Sequence, residues 1–202
     1  MLAVAALSAL AHLGMLADAL AITASPPIVP PVPISVAVAS VDGAPVHDGA
    51  WIEERVAETA RLYNPLGIYF RKPEVRPLPE RHAALETRED RDALGGLLKK
   101  GFVNVFVVST LRDVDDKESL IMGVHWAPAG DLSRHFVILA GRASKTTLAH
   151  ELGHYFGLPH KHHIPDNLMS YTRTGIEVFL DAPQKTKVRT NARVLSVREK
   201  LR

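Results

Sequence analysis

Hydrophobic positions along this chain switch between two periods, and each switch marks an element. Ile34 to Val41 is an apolar run rich in β-branched residues, the pattern of a strand. Asp48 to Leu62 changes to helical spacing through Trp51, Val56 and Leu62. Gly67 to Arg71 reads as a second strand, and the charged stretch Leu78 to Lys100 as helical in part. Phe102 to Ser109 is continuously apolar, which predicts a central strand buried on both faces. Leu120 to Ala127 and His135 to Ala140 supply two further strands. A helix is then expected from about Ser144 to Phe156. A last one opens at Asp181 and Pro183 and runs from Gln184 to about Lys200.

The N-terminal third of this pattern changes character twice. Residues 1–24 are dominated by Leu and Ala and contain small-residue cleavage patterns such as Ala17-Asp18-Ala19. They resemble an export signal, so an exported, periplasmic or secreted protein is expected, although no Lys or Arg precedes the apolar run. His12 and Asp18 disfavour a stable membrane span, since a charge at mid-bilayer depth costs about 2.5–3.5 kcal/mol. Ser25 to Pro33 holds five prolines in nine residues, which predicts an extended linker and places one folded domain over 34–202. The net charge of +2 lacks the footprint of a dedicated nucleic-acid binder. Lys185, Lys187, Arg189, Arg193, Arg198, Lys200 and Arg202 are instead expected on the solvated face of the last helix. The chain has no cysteine, which does not decide its compartment, and nothing in it fixes an oligomeric state.

The chemistry concentrates in His150 to His160, HELGHYFGLPH. On a helix His150 and His154 lie one turn apart on one face, so both rings can address one metal ion. Gly157 tolerates the left-handed conformation that ends a helix, and the turn it permits swings His160 back toward the same point. His162 and His163 are alternative third ligands, but the spacing from Gly157 favours His160. Three neutral imidazoles leave a fourth position open, the arrangement of catalytic rather than structural zinc; imidazoles also accept copper, nickel or iron. Glu151 lies about 100° around the helix from His150, off the ligand direction but within reach of a water there, which makes it the expected general base. A zinc-binding interaction protein without turnover is the competing reading, and it needs no such carboxylate. Asp113, Asp115, Asp116 and Glu118 are candidate calcium ligands, although their spacing does not meet a defined calcium loop.

The extended motif, followed by Asp166, Asn167, Leu168, Met169, Ser170 and Tyr171, resembles the metzincin clan of zinc metallopeptidases, with matrixin-like and pappalysin-like features. The cysteine used in matrixin latency is absent. The resemblance implies a zinc-dependent endopeptidase on an α/β fold. That fold has a twisted, mostly parallel five-stranded sheet with an antiparallel edge strand, an active-site helix, a Met-turn and a small C-terminal helical subdomain. It implies that Met169 packs beneath the metal and that Tyr171 approaches it or stabilises an oxyanion. It also places Gly123, His125 and Trp126 on the edge strand above the cleft, where a peptide or protein substrate would pair through its main chain. Gly175 to Phe179 would form part of a pocket wall.

Overall fold

The computed structural model describes residues 25–175 and 177–201. The apolar runs become the centre of a mixed sheet. Strands β1 (Ile34–Val41), β3 (Glu74–Leu78), β5 (Val103–Val108) and β8 (Phe136–Ala140) are parallel, and β7 (Gly123–Trp126) closes one edge antiparallel to β8. The order is β3-β1-β5-β8-β7, and a two-residue strand, β2 (Ala44–Pro45), folds back on the end of β1. Ala84–Leu85 and Thr110–Leu111, β4 and β6, form a separate small pair.

All six residues of β5 are buried, as the continuous run predicts. Its side chains alternate between two cores. Val103, Val105 and Val107 join the layer containing the helices α1 (Gly49–Tyr63), α3 (Thr147–Tyr155) and α4 (Ala182–Arg198). Phe106 and Val108 join Leu78, Leu94, Leu111, Phe136 and Ile138 on the other face. Helix α1 contributes Ile52, Leu62 and Tyr63 to the first layer, α3 Leu148 and Leu152, and α4 Val188 and Leu195.

Two expectations need correction. Gly67 to Arg71 is not a strand: Asn64–Leu66 forms a 3-10 turn, Gly67 follows at φ 76°, and only Phe70 makes an isolated bridge, to Val32. The strand beside β1 is instead β3, whose Glu74, Val75 and Pro77 are exposed, so an edge position removed the apolar signature. Leu78 to Lys100 is helical in part, as expected: Arg88–Ala93 forms helix α2, started by a reciprocal Thr87–Asp90 capping box, and Glu80–His82 and Leu94–Leu97 form 3-10 turns. Ser25 to Pro33 is fastened to the domain rather than free, and the chain bends at residues 28–30. The Ile28 and Val32 amides donate to the Gly67 and Tyr69 carbonyls at 2.9 and 2.7 Å, and Val29 and Val32 are buried. The leader-like residues 1–24 lie outside the described residues, among which no helix is long and apolar enough to cross a membrane.

Helix α4 begins where expected. Asp181 caps it, Gln184 returns the hydrogen bond, and Pro183 sits in the first turn. Its basic residues are solvated apart from Arg189, which is half-buried and donates to the Leu66 carbonyl at 2.8 Å. Arg202 lies outside the described residues.

Candidate metal centre

Helix α3 carries the motif, and its end brings the third histidine into place. Gly157 adopts φ 83°, its amide donates to the His154 carbonyl at 2.8 Å, and the Leu158 amide donates to the Gly153 carbonyl at 2.9 Å. This double closure ends the helix and turns the chain back. The His150 and His154 ring centroids lie 4.9 Å apart, and His160 comes within 5.4 and 4.4 Å of them. One nitrogen from each ring falls within 4.8 Å of the others, and among the described residues this is the one such group of three or more potential ligands. Nitrogens sharing one tetrahedral ion at about 2.0–2.1 Å sit about 3.3–3.4 Å apart. The His154 and His160 Nε2 atoms, at 3.0 Å, already approach that spacing.

The opposite ring nitrogens fix what these imidazoles can do. His150 Nδ1 lies 2.7 Å from the Leu168 carbonyl and His154 Nδ1 2.8 Å from the Leu158 carbonyl. A carbonyl only accepts, so each Nδ1 carries the proton and each Nε2 presents a lone pair to the centre. Burial lowers the pKa of all three, His150 and His160 to about 4, so the rings are neutral at neutral pH. Three neutral imidazoles, two of them with their outer nitrogens held by carbonyls, fit a divalent ion such as zinc. The His162 ring lies tilted against His160 at 4.8 Å and stands outside this ligand group, as does the exposed His163.

Glu151 lies beside the ligands, buried beneath strand β7. Burial pushes its carboxyl up to about 8, opposed by the His125 backbone amide. A dication beside it would pull the value down again. Gly123 makes room for this carboxylate: a Cβ there would lie 2.7 Å from Thr147 Cγ2 and 3.1 Å from Glu151 Oε1.

Met169 is fully buried under α3, where a Cβ on Gly153 would fall on its sulfur. Its loop is tied to α4 by a buried amide pair: Asn167 Nδ2 donates to Gln184 Oε1 at 2.7 Å, and Gln184 Nε2 donates to Asn167 Oδ1 at 2.9 Å. Tyr171 is 68% exposed, and its hydroxyl lies 2.7 Å from His160 Nε2. That nitrogen has one lone pair, so the phenol and a metal compete for it.

His125 and Trp126 line the cleft wall, but their polar atoms turn to internal partners. Trp126 Nε1 donates to Asp92 at 2.7 Å. His125 Nε2 lies 2.7 Å from His135 Nδ1, and His135 Nε2 lies 2.8 Å from Glu199, which also accepts from Tyr155. Sequence reasoning missed this cluster of buried His135 and Tyr155 with half-buried Glu199, because no local spacing joins residues so far apart. Asp113, Asp116 and their neighbours form turn hydrogen bonds, and Asp115 pairs with Arg88. The resulting cleft, about 1130 Å³, runs between β7 on one side and α3 with residues 170–178 on the other.

No protein-family model matches the chain, and no curated protein sequence matches it significantly. Solved structures do. Mirolysin in complex with compound 9 is similar at a TM-score of 0.62 and 11% identity, over 87% of this chain and 98% of that one. Mature mirolysin of Tannerella forsythia, in complex with a cleaved peptide, is similar at 0.56 and 12% identity, over 88% and 99% of the two chains. Metalloproteinase-II from Bacteroides fragilis reaches 0.54 at 13% identity, over 84% of this chain and 55% of that longer one. At these identities the similarity establishes the fold: the mostly parallel α/β arrangement is that of mirolysin-like metalloproteases.

Proposed function

We propose that this chain is a zinc-dependent endopeptidase of the metzincin type. The observation that carries the reading is the convergence of three neutral imidazoles beside a buried carboxylate in an open cleft. His150, His154 and His160 would hold the ion, and a zinc ion there would supply Lewis acidity, polarising the scissile carbonyl and easing deprotonation of water. Glu151 takes the proton of the attacking water and returns it to the leaving amine. Its burial favours the second half of that task, because a buried carboxyl holds a proton more readily than a solvated one. Tyr171 donates to the negative charge that develops on the carbonyl oxygen, once its hydroxyl has left His160. The substrate chain adds to the outer edge of β7, where Gly123 lets backbone approach Glu151 and where His125 and Trp126 form the wall. Export belongs to this reading and rests on the leader-like residues 1–24.

The test is cleavage of a diverse peptide library by the wild type and by Glu151→Gln, with bound metal quantified in both. The expected result is cleavage by the wild type, a loss of about 10²–10⁴-fold in the variant, and equal metal in the two. Near-normal turnover by the variant would refute the assignment of the base. Equal metal with no cleavage by either protein would instead favour a zinc-binding interaction protein.

A further inference from the structure

Glu199, the residue that closes helix α4, joins the two elements that flank Glu151. Its carboxylate accepts from His135 Nε2 at 2.8 Å and from the Tyr155 hydroxyl, with Arg198 Nη2 at 3.0 Å on the same oxygen as His135. Tyr155 is the last residue of α3, next to His154. His135 reaches β7. A carboxylate only accepts, so His135 carries its proton on Nε2, Nδ1 of the neutral ring accepts, and His125 Nε2 donates to it at 2.7 Å. The His135 ring also stacks on Tyr155, with centroids 3.9 Å apart and planes inclined by 15°. One carboxylate thus ties the edge strand to the helix that carries the metal ligands. The His125 backbone amide in turn supports the Glu151 carboxylate. The space between β7 and α3 has no slack, since a Cβ on Gly123 would lie 2.7 Å from Thr147 Cγ2 and 3.1 Å from Glu151 Oε1. The anchor itself is fixed. The Glu199 amide donates to the Leu195 carbonyl at 2.8 Å, and Leu201, two residues on, is buried in the core of the helical layer.

We propose that Glu199 is a positioning residue: from the end of the last helix it sets, through His135 and Tyr155, the separation of β7 from α3, and so places the His125 amide against the Glu151 carboxylate. This rests on the peptidase reading, because Glu151 is the base that the arrangement serves. A shielded carboxylate is costly unless donors answer it, and here the donors come from both walls of the cleft rather than from α4 alone. Without it, buried His135 Nε2 and the buried Tyr155 hydroxyl lose their acceptor, and both walls relax. A shift of about 1 Å at a reacting group costs about 10²-fold in rate, and removing supports of this kind costs about 10–100-fold. Glutamine keeps the shape: its carbonyl accepts from His135 and its amide donates to the Tyr155 oxygen, so the clamp survives with weaker bonds.

The experiment compares wild type, Glu199→Ala, Glu199→Gln and His135→Phe, each zinc-loaded, by amide hydrogen exchange, bound metal and peptide cleavage. His135→Phe keeps an aromatic ring against Tyr155 and leaves Glu199 its Tyr155 and Arg198 partners, so it breaks the β7 arm alone and serves even where Glu199→Ala does not fold. In Glu199→Ala and His135→Phe, exchange across β7 should quicken by about tenfold or more while β1 and β5 stay protected. Bound metal should be unchanged, and kcat should fall by about 10–100-fold with KM changing less. Glu199→Gln should stay within about fivefold of wild type on each measure. The Glu199→Ala, His135→Phe double variant should lose no more turnover than the worse single one, as residues acting through one chain do. Unchanged exchange in β7, an equal loss of protection in β1 and β5, or Glu199→Gln as impaired as Glu199→Ala would overturn the proposal. Exchange also separates the two ideas. A loosened β7 in variants of a wild type that cleaves nothing refutes the peptidase alone, and full turnover by both Glu199→Ala and His135→Phe refutes the positioning role alone.

Discussion

Two single residues test how tightly the centre is built. At Gly153, in the middle of α3, alanine would ordinarily strengthen a helix by about 1 kcal/mol. Here its methyl would fall on the buried Met169 sulfur, with Leu158 Cδ1 3.6 Å away. Overpacking costs about 1–3 kcal/mol, so sterics outweigh propensity. Gly153→Ala should therefore lower the urea midpoint and weaken metal binding; a stabilised variant would show that the Met169 loop yields freely. Tyr171 poses the opposite case. Its side chain is exposed, so Tyr171→Phe should change stability by less than about 0.5 kcal/mol. Removing the hydroxyl that competes for His160 Nε2 should leave metal affinity equal or higher. Turnover should fall by about 10²–10³-fold if the phenol stabilises the oxyanion. Steady-state kinetics decide this, and unchanged turnover would reduce the tyrosine to a packing role.

Between elements, the junction that matters most is the one joining the Met169 loop to α4. Gln184 is buried, accepts from Asn167 and the Asp181 amide, and donates to Asn167, so Gln184→Ala leaves buried groups unpaired. The expected cost is about 2–3 kcal/mol in chemical denaturation. Because the same loop places the Leu168 carbonyl on His150 Nδ1, metal affinity should also fall, by about tenfold in a competition titration. A stability loss with unchanged affinity would make this tie structural only. The junction also marks where sequence reading stopped. β5 and β8 were legible because burial on both faces leaves no polar position to blur the run. The metal centre was legible because one helix and one glycine turn bring its ligands together within eleven residues. β3 was not, since it pairs on one side only and exposes Glu74 and Val75. Nor was Glu199, whose meaning depends on His135 and Tyr155, neighbours that only the folded chain supplies.

For the whole molecule, the buried histidines and Glu151 set opposite slopes of stability against pH. His125 is lowered to about 3 by burial and by His135, while His150 and His160 are lowered to about 4; unfolded histidines titrate near 6.5. Between about pH 6.5 and 4 the unfolded chain therefore binds protons that the folded chain refuses, so stability present above pH 6.5 is lost as pH falls. Glu151 has the other sign. With its folded carboxyl at about 8, against an ordinary value of 4.5, its contribution is fully present below about pH 4.5 and lost as pH rises toward 8. Near pH 5.5 the unfolded chain gains up to three histidine protons while the folded chain keeps one on Glu151, so the net slope is about two protons and stability rises with pH. Near pH 7.3 the three unfolded histidines together hold only about 0.4 proton against about 0.8 on the folded Glu151, so stability falls gently with pH. Metal-stripped protein should accordingly show its highest melting temperature near pH 6.5–7, declining more steeply on the acid side. Zinc should raise the melting temperature at pH 7 by binding the neutral rings, and the increment should fade as protons compete for them toward pH 4. A melting profile of the stripped protein that stays flat from pH 7 to 4 would mean that these rings are solvated in the folded chain, and the neutral ligand set would go with it.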